Sequence, residues 1–184
     1  MATVNLAVLG PAQVWYKGSE LGKTFGGVRI AIQEQVADVR YDQTGLWNRY
    51  QVGKTIVVTA AFANLTHALI KSLLGNEAFI LTGGTTPACD QVLAIYLGLG
   101  ISHRDNGGEL IIKPYIGGFL STDPCQWFHV PLCYPQLDAE LVYDETTQRV
   151  LKCNFQSLPI SQNNPLMAYM GCAALLPAAL PAAP

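Results

Sequence analysis

"YKGSELGKTFGGVRIAIQ", residues Tyr16 to Gln33, carries two readings that exclude each other. Gly18, Gly22, Lys23 and Thr24 have the look of a phosphate-binding loop, G-x-x-x-x-G-K-[S/T], in which backbone N–H groups wrap a phosphate before a helix begins. Here only Ser19, Glu20 and Leu21 separate the two glycines, one residue too few to close that cradle. After Thr24, where a helix is required, the chain runs "FGGVRIAIQ": two glycines and then alternating apolar residues. The segment therefore reads as a glycine-bearing turn between two strands, and the rest of the chain has to be read as β structure organised around it.

The alternation continues past Gln33, but with a slip. Val28, Ile30 and Ile32 are apolar with Arg29 and Gln33 between and after them, whereas further on Ala37, Val39 and Tyr41 alternate with Asp38, Arg40 and Asp42. Side chains of a strand point to opposite faces in turn, so a one-residue change of phase demands a bulge, bend or break between Gln33 and Val36. "GLWNRYQVG", from Gly45 to Gly53, reads as a connection with Trp47 and Tyr50 exposed near its tip, available for local packing or for contact with another molecule. "KTIVVTAAF" is a strand covered on both faces.

One helix is signalled. Asn64 is placed to cap it, Leu65, Ala68, Leu69 and Leu73 share a face, Lys71 lies near its end, and Gly75 suits the left-handed closing position. "QVLAIYLGLG" fits a buried strand or a helix begun at Thr86–Pro87, and we take residues 87–98 as strand. "ELIIKPY" and "WFHVPLCY" are short strands, and Pro131 in the second requires an edge position or a bulge. "LDAELVY" and "RVLKCNF" form a hairpin with one buried side, contributed by Leu137, Ala139, Leu141 and Tyr143 and by Leu151, Cys153 and Phe155. The prolines after Phe155 exclude a long regular element, so residues 161–184 form a Pro/Ala-rich tail, loose or laid along a neighbour, behind one domain spanning 1–160.

Composition narrows function by exclusion. Charged residues make up 13% of the 184 residues, about half the usual share, and the net charge is -2. A surface so poor in charge is expected to be covered by partners or by copies of the same chain. No Lys/Arg cluster marks a nucleic-acid grip. No apolar run reaches the length of a membrane-spanning helix and no signal peptide opens the chain, so a soluble protein made in a cytoplasm is expected. The five cysteines have no C-x-x-C spacing and read as buried thiols. His67, His103 and His129 lie in separate segments without metal-ligand spacing. "SHRDN", Ser102 to Asn106, gathers Ser, His and Asp in one loop, but adjacent residues rarely converge as a triad, and a polar turn is the simpler reading. No catalytic residue, cofactor site or metal site is expected.

Several segments, taken in order, resemble the phage major tail tube proteins: "GPAQVWYKGSELGKTFGGVRIAIQEQVADVRYDQ", then "VGKTIVVTAAFANLTHALIKSLL", "ELIIKP" and "PQLDAELVYDETTQRVLKCNFQSLPI". The resemblance spans about the first 160 residues and rests on their order and spacing. The "DQVLAIYLGLG" stretch, the cysteine and aromatic content and the Ala-Pro tail depart from it. It implies a mainly β subunit, a β-sandwich or open barrel with one flanking helix, that assembles into stacked hexameric rings around a continuous β-barrel lumen. Double-stranded DNA passes through such a tube during genome ejection without specific binding. The implied partners are the chain itself, a tape measure, a tail tip or baseplate and a terminator, in a virion made in a bacterial cytoplasm, with no membrane binding by this chain. On that reading Gln33, Glu34, Gln35, Asp38 and Asp42 are candidates for the lumen, and Trp47 and Tyr50 for contact between rings. The alternatives are another ring-forming tail component, such as a distal tail or terminator protein, the tube of a phage-derived injection apparatus, or a small enzyme or nucleotide-binding domain.

Overall fold

A computed structural model describes residues 3–9, 11–41, 45–63, 66–75, 78–82, 91–95, 102–138, 150–161, 164–171, 174 and 176. The opening segment is strand, turn, strand. β2 (Ala12–Tyr16) and β3 (Ser19–Tyr41) are joined by Lys17 and Gly18, both with positive φ, 50° and 74°. Two successive left-handed residues make the tight turn whose twist matches that of paired strands, and glycine supplies the second without steric cost. β3 begins at Ser19, nine residues before the Val28 start that alternation alone suggests, because Gly22, Gly26 and Gly27 take positive φ inside it. They bend the strand where its pairing with β4 (Gly45–Phe62) shifts register, between Thr24 and Val28. On its other edge β3 passes there from β2 to β1 (Thr3–Leu9).

The remaining elements are α1 (His67–Leu74), β5 (Ala78–Thr82), β6 (Gln91–Ile95), β7 (Gly108–Ile116), β8 (Phe119–Leu120), β9 (Phe128–Asp138), β10 (Leu151–Ser157) and β11 (Tyr169–Met170). Strands pair in the order β9, β10, β4, β3, β2, β7, and β7 pairs again with β9, so the antiparallel circuit closes on itself. The chain is mainly β with one helix, as expected, and its sheet is continuous around the core where a sandwich or open barrel was anticipated. β5 and β6 form a separate two-stranded sheet, and the strand reading of 87–98 holds for Gln91–Ile95.

Alternation fills the inside. Val14 and Tyr16 of β2, Val28 and Ile30 of β3, Val58 and Ala60 of β4, Leu110 and Ile112 of β7, and Cys153 and Phe155 of β10 are buried together. Tyr16 and Phe155 meet at 5.5 Å between ring centroids, tilted by 54°. The Tyr16 hydroxyl reaches the carbonyl of Asn106, so the ring stays in the core while its polar end is satisfied. Pro131 lies inside β9, which is paired on both sides, so the edge alternative is wrong and the bulge alternative right. Between Gly108–Cys133 and Leu110–Val130 the register shifts, leaving β9 one residue longer where Pro131 cannot donate. β9 also absorbs both "WFHVPLCY" and "PQLD", so the expected hairpin arm at Leu137 is the end of one long strand; Ala139, Leu141 and Tyr143 lie outside the described residues.

α1 is capped by Thr66, whose hydroxyl accepts from Leu69 N–H at 3.1 Å; the expected cap, Asn64, lies outside the described residues. Gly75 closes the helix with φ 59°, and Leu69 and Leu73 enter the core, both as expected. The described part of the tail meets the chain's own domain. Met167 and Ala168 pack on the core, and β11 pairs with β9, Tyr169 opposite His129 and Met170 opposite Phe128.

Two outcomes follow from this core. Phe155→Ala, a fully buried ring at the centre of the circuit, is expected to lower unfolding free energy by about 3–5 kcal/mol, read by chemical denaturation. Burial, the largest cause, pushes up the Tyr16 phenol and the Cys133 thiol, and takes the Cys153 thiol up to about 12. These groups stay neutral when folded, whereas an unfolded cysteine ionises near 9. The stability they lend is whole below about pH 9 and is lost as pH rises from there towards 12. Tm measured from pH 7 to 11 should hold nearly level and then fall above pH 9.

Candidate functional site

The register of β3 with its neighbours sorts the candidate residues. Val28, Ile30 and Ile32 lie opposite Ala60, Val58 and Ile56 on the core face. By alternation Glu34 and Asp38 share that face, while Gln33 and Gln35 belong to the reverse face with Ala31. The five lumen candidates are thus not one group. Gln33 and Gln35 come together, Glu34 and Asp38 lie behind them, and Asp42 lies outside the described residues.

The two carboxylates are each met across the strand pair. Glu34 is 3.1 Å from Lys54 Nζ, and Asp38 accepts from Arg49 Nε at 2.7 Å and from Nη2 at 3.4 Å. The irregularity expected between Gln33 and Val36 is a bulge in the partner strand, and β3 itself keeps its alternation. Gln35 lies opposite Gly53 and Val36 opposite Gln51, so the extra residue, Val52, sits on β4.

The reverse face continues across β4, β10 and β9. Thr55 lies opposite Gln33; Thr59 lies opposite Arg29 on one side and Asn154 on the other; Val57 lies between Ala31 and Gln156. Lateral hydrogen bonds tie its polar groups together. The Thr59 hydroxyl meets Asn154 Oδ1 at 2.9 Å, and the Tyr134 hydroxyl donates to Gln156 Oε1 at 2.7 Å. At Gly53 an added Cβ would stand 3.1 Å from Gln35 Oε1, so the Gln35 amide lies over that glycine.

"GLWNRYQVG" is not a connection. It forms the first half of β4, paired with β3 from Gln35 opposite Gly53 to Tyr41 opposite Gly45, with Val52 and Trp47 as extra residues at two register shifts. β3 alternation in "VADVRY" has a partner in it that reading 45–53 as a loop removed. Tyr50 and Val52 are 55% and 63% exposed, as expected for Tyr50; Trp47 is in the same strand. Beyond Gln33 β3 pairs only with β4, and beyond Val57 β4 pairs only with β3, among the described residues. A two-stranded ribbon therefore extends past the core by roughly 25 Å.

The loop "SHRDN" folds as a turn. Ser102 Oγ accepts from Asp105 N–H, the His103 ring stacks on Tyr134 at 4.1 Å, and Arg104 donates to the Ile160 carbonyl. Thr24 of the opening segment spends its hydroxyl on the Ala12 carbonyl within strand pairing. Among the described residues no group of His, Cys, Asp or Glu is placed to hold a metal ion. Cys133 and Cys153 are buried thiols, as expected; Cys125 is exposed, against that expectation, and Cys89 and Cys172 lie outside the described residues.

No family model matches this chain, and no curated protein is significantly similar to it.

A second outer surface was invisible in the sequence. Lys113 Nζ lies 4.3 Å from the Trp15 ring centroid and 4.1 Å from that of Trp127. Beyond Trp127 the His129 ring stacks on Tyr169 at 4.7 Å, and its Nδ1 is 3.4 Å from Glu109 Oε1. These residues come from β2, β7, β9, β11 and, for Trp127, the position just before β9, up to 154 positions apart by number (Trp15 to Tyr169), and strand pairing brings them together. A cation between two indoles is a favourable arrangement, so this ladder pins the tail across β9. Tyr169→Ala should release residues 167–171, seen as new protease cleavage there while the core melts at nearly the same temperature.

Proposed function

We propose that this chain is a structural subunit, a phage major tail tube protein, whose copies form hexameric rings stacked into a hollow tube for DNA. The observation that carries the reading is the β3–β4 ribbon. A two-stranded ribbon is marginal alone in water, neither outer edge is taken by a further strand among the described residues, and it presents Tyr50, Val52 and Val36 to solvent. Such an element is stabilised when another chain takes up its edges and apolar side chains. The low charge fits the same account, because surface buried between copies does not need to be solvated. So does the segment order that resembles tail tube proteins, with a long glycine-bent strand after a tight turn and a closing β9–β10 pair.

In this reading the chain is not an enzyme and needs no cofactor. Its partners are other copies, the tape measure, the tail tip or baseplate and the terminator, with duplex DNA in transit and the virion as its final location. A terminator or distal tail protein shares the ring and differs in stopping at one.

Negative-stain electron microscopy of the purified full chain is expected to show rings and hollow filaments of uniform diameter. A monomer persisting at high concentration would overturn the proposal, and single rings that never stack would favour the terminator reading. Val52→Lys together with Tyr50→Ala should suppress filaments while changing the unfolding free energy of the isolated subunit by no more than about 0.5 kcal/mol.

A further inference from the structure

We infer that copies of this chain follow one another through a knob and a cleft: the β7–β8 hairpin tip, Ile116 to Phe119, of one copy seats between α1 and β9 of the next. The contact rests on the tube reading and names how successive copies are joined. Gly117 and Gly118 have φ 60° and 88°, two left-handed residues that close a tight hairpin, and Ile116 lies opposite Phe119 across the turn. Both side chains are left outside, Phe119 81% exposed and Ile116 52%. A single exposed apolar residue needs no explanation, but here two stand side by side on a firm base. Ser121 N–H donates to the Pro114 carbonyl at 2.9 Å, Tyr115 N–H to the Pro11 carbonyl at 3.1 Å, and Trp127 Nε1 to the Ser121 carbonyl at 3.0 Å. An aromatic ring held out on a rigid support loses little freedom when it is buried, as an interface anchor requires.

The cleft lies at the other end of β7. Leu73 and Leu74 of α1, Pro135 and Leu137 of β9, and the stacked rings of His103 and Tyr134 line a space of about 230 Å³. An apolar cavity of about 150 Å³ holds a benzene ring, so the volume suffices for the phenyl group of Phe119. Asn106 and Gln136 complete the described lining, which includes no Asp, Glu, Lys or Arg. The hairpin tip carries none either. No charge has to be stripped of water when the two surfaces meet.

Direction follows from the strand between them. The loop bearing His103 and Asn106 leads into Gly108, which lies opposite Cys133 beside Tyr134, whereas the knob begins at Ile116. The nine residues of β7 span roughly 25 Å, so a copy cannot fill its own cleft. A projection at one end and a recess at the other make a head-to-tail contact, which leaves a fresh knob and a fresh cleft exposed after every addition. Two other clefts fit less well. One is fringed by the hydroxyls of Ser19, Thr66 and Ser72 and the carboxylate of Glu20. The other, beside Pro11 and Tyr115, includes Gly118 of the hairpin itself. Knobs meeting there would pair two copies about a two-fold axis, and growth would stop at a dimer.

The test uses the full chain with Cys125→Ser, which removes the exposed thiol, and adds Ile116→Cys beside the intact ring, Gln136→Cys at the cleft, or both. Assembled protein is treated with a short bismaleimide and run on denaturing gels. The double variant should give a ladder of covalent multimers, and a mixture of the two single variants should give dimers. Each single variant alone should give no more product than the Cys125→Ser parent. In a separate measurement, Phe119→Ser should raise the protein concentration needed for filaments by about tenfold or more, read by sedimentation, with the denaturant midpoint unchanged.

Dimers formed by Ile116→Cys alone would put hairpin against hairpin and overturn the head-to-tail contact. Tubes that form without a ladder, or Phe119→Ser filaments that appear at the wild-type concentration, would overturn it as well. A chain that makes no rings yet gives the ladder would keep the contact and count against the tube reading, and a chain that does neither would overturn both.

Discussion

Everything in this fold hangs on the pairing of β3 with β4, because a strand has only two faces and register decides which residues share them. With Ile30 opposite Val58 and Ile32 opposite Ile56, the apolar set of both strands falls inside the closed circuit. A slip of one residue would put Gln33 and Thr55 into the core and Ile32 and Ile56 into water. Burying amides without partners costs more than the lost apolar contact returns, so the register is held by both sides of the exchange. The same pairing then determines where every charge of the ribbon goes.

Much of this was legible because the informative signals were local and periodic. The short spacing between Gly18 and Gly22 ruled out a phosphate cradle, and "VRIAIQ" announced a strand. Leu69, Leu73 and Gly75 announced a helix, and Leu151, Cys153 and Phe155 a buried strand face. The phase change after Ile32 was readable as the place of an irregularity, but the extra residue there, Val52, belongs to the partner strand, and β3 keeps its own alternation. What failed did so where the deciding contact is distant. Trp47 and Tyr50 were taken as loop residues because a polar stretch between glycines looks like a connection, and only pairing with Val36 to Tyr41 makes it a strand. Pro131 was readable as an edge marker or a bulge, and only the pairing with β7 decides for the bulge in a strand paired on both sides. For the candidate surface, the five candidates were taken together, and only the register places Gln33 and Gln35 on the face opposite Glu34 and Asp38.

The aromatic ladder marks the limit of such reading. Trp15, Lys113, Trp127, His129 and Tyr169 each look ordinary alone, and together they join four strands. They give the sheet's outside two unlike sectors: one stacked, cationic and strapped by the tail, the other made chiefly of amides and hydroxyls, with Arg29, Lys152 and Asp138 gathered at one end. A subunit with two such sides has an intrinsic front and back, which is what a chain needs if its copies are to meet in one orientation.

The closure of the circuit has a consequence in time. β10 fills the gap between β9 and β4, yet it comes after nine other strands in the chain, and β9 must meet β7 on its other side. Until residues 151–157 emerge from the ribosome, the edges of β4 and β9 that they will occupy stand open, and Phe155 is missing from the centre of the core. Contacts this far apart in sequence form slowly, so the nascent chain passes through a stage with a half-built wall. The order of the chain thus leaves the β3–β4 ribbon complete well before the base that carries it is closed.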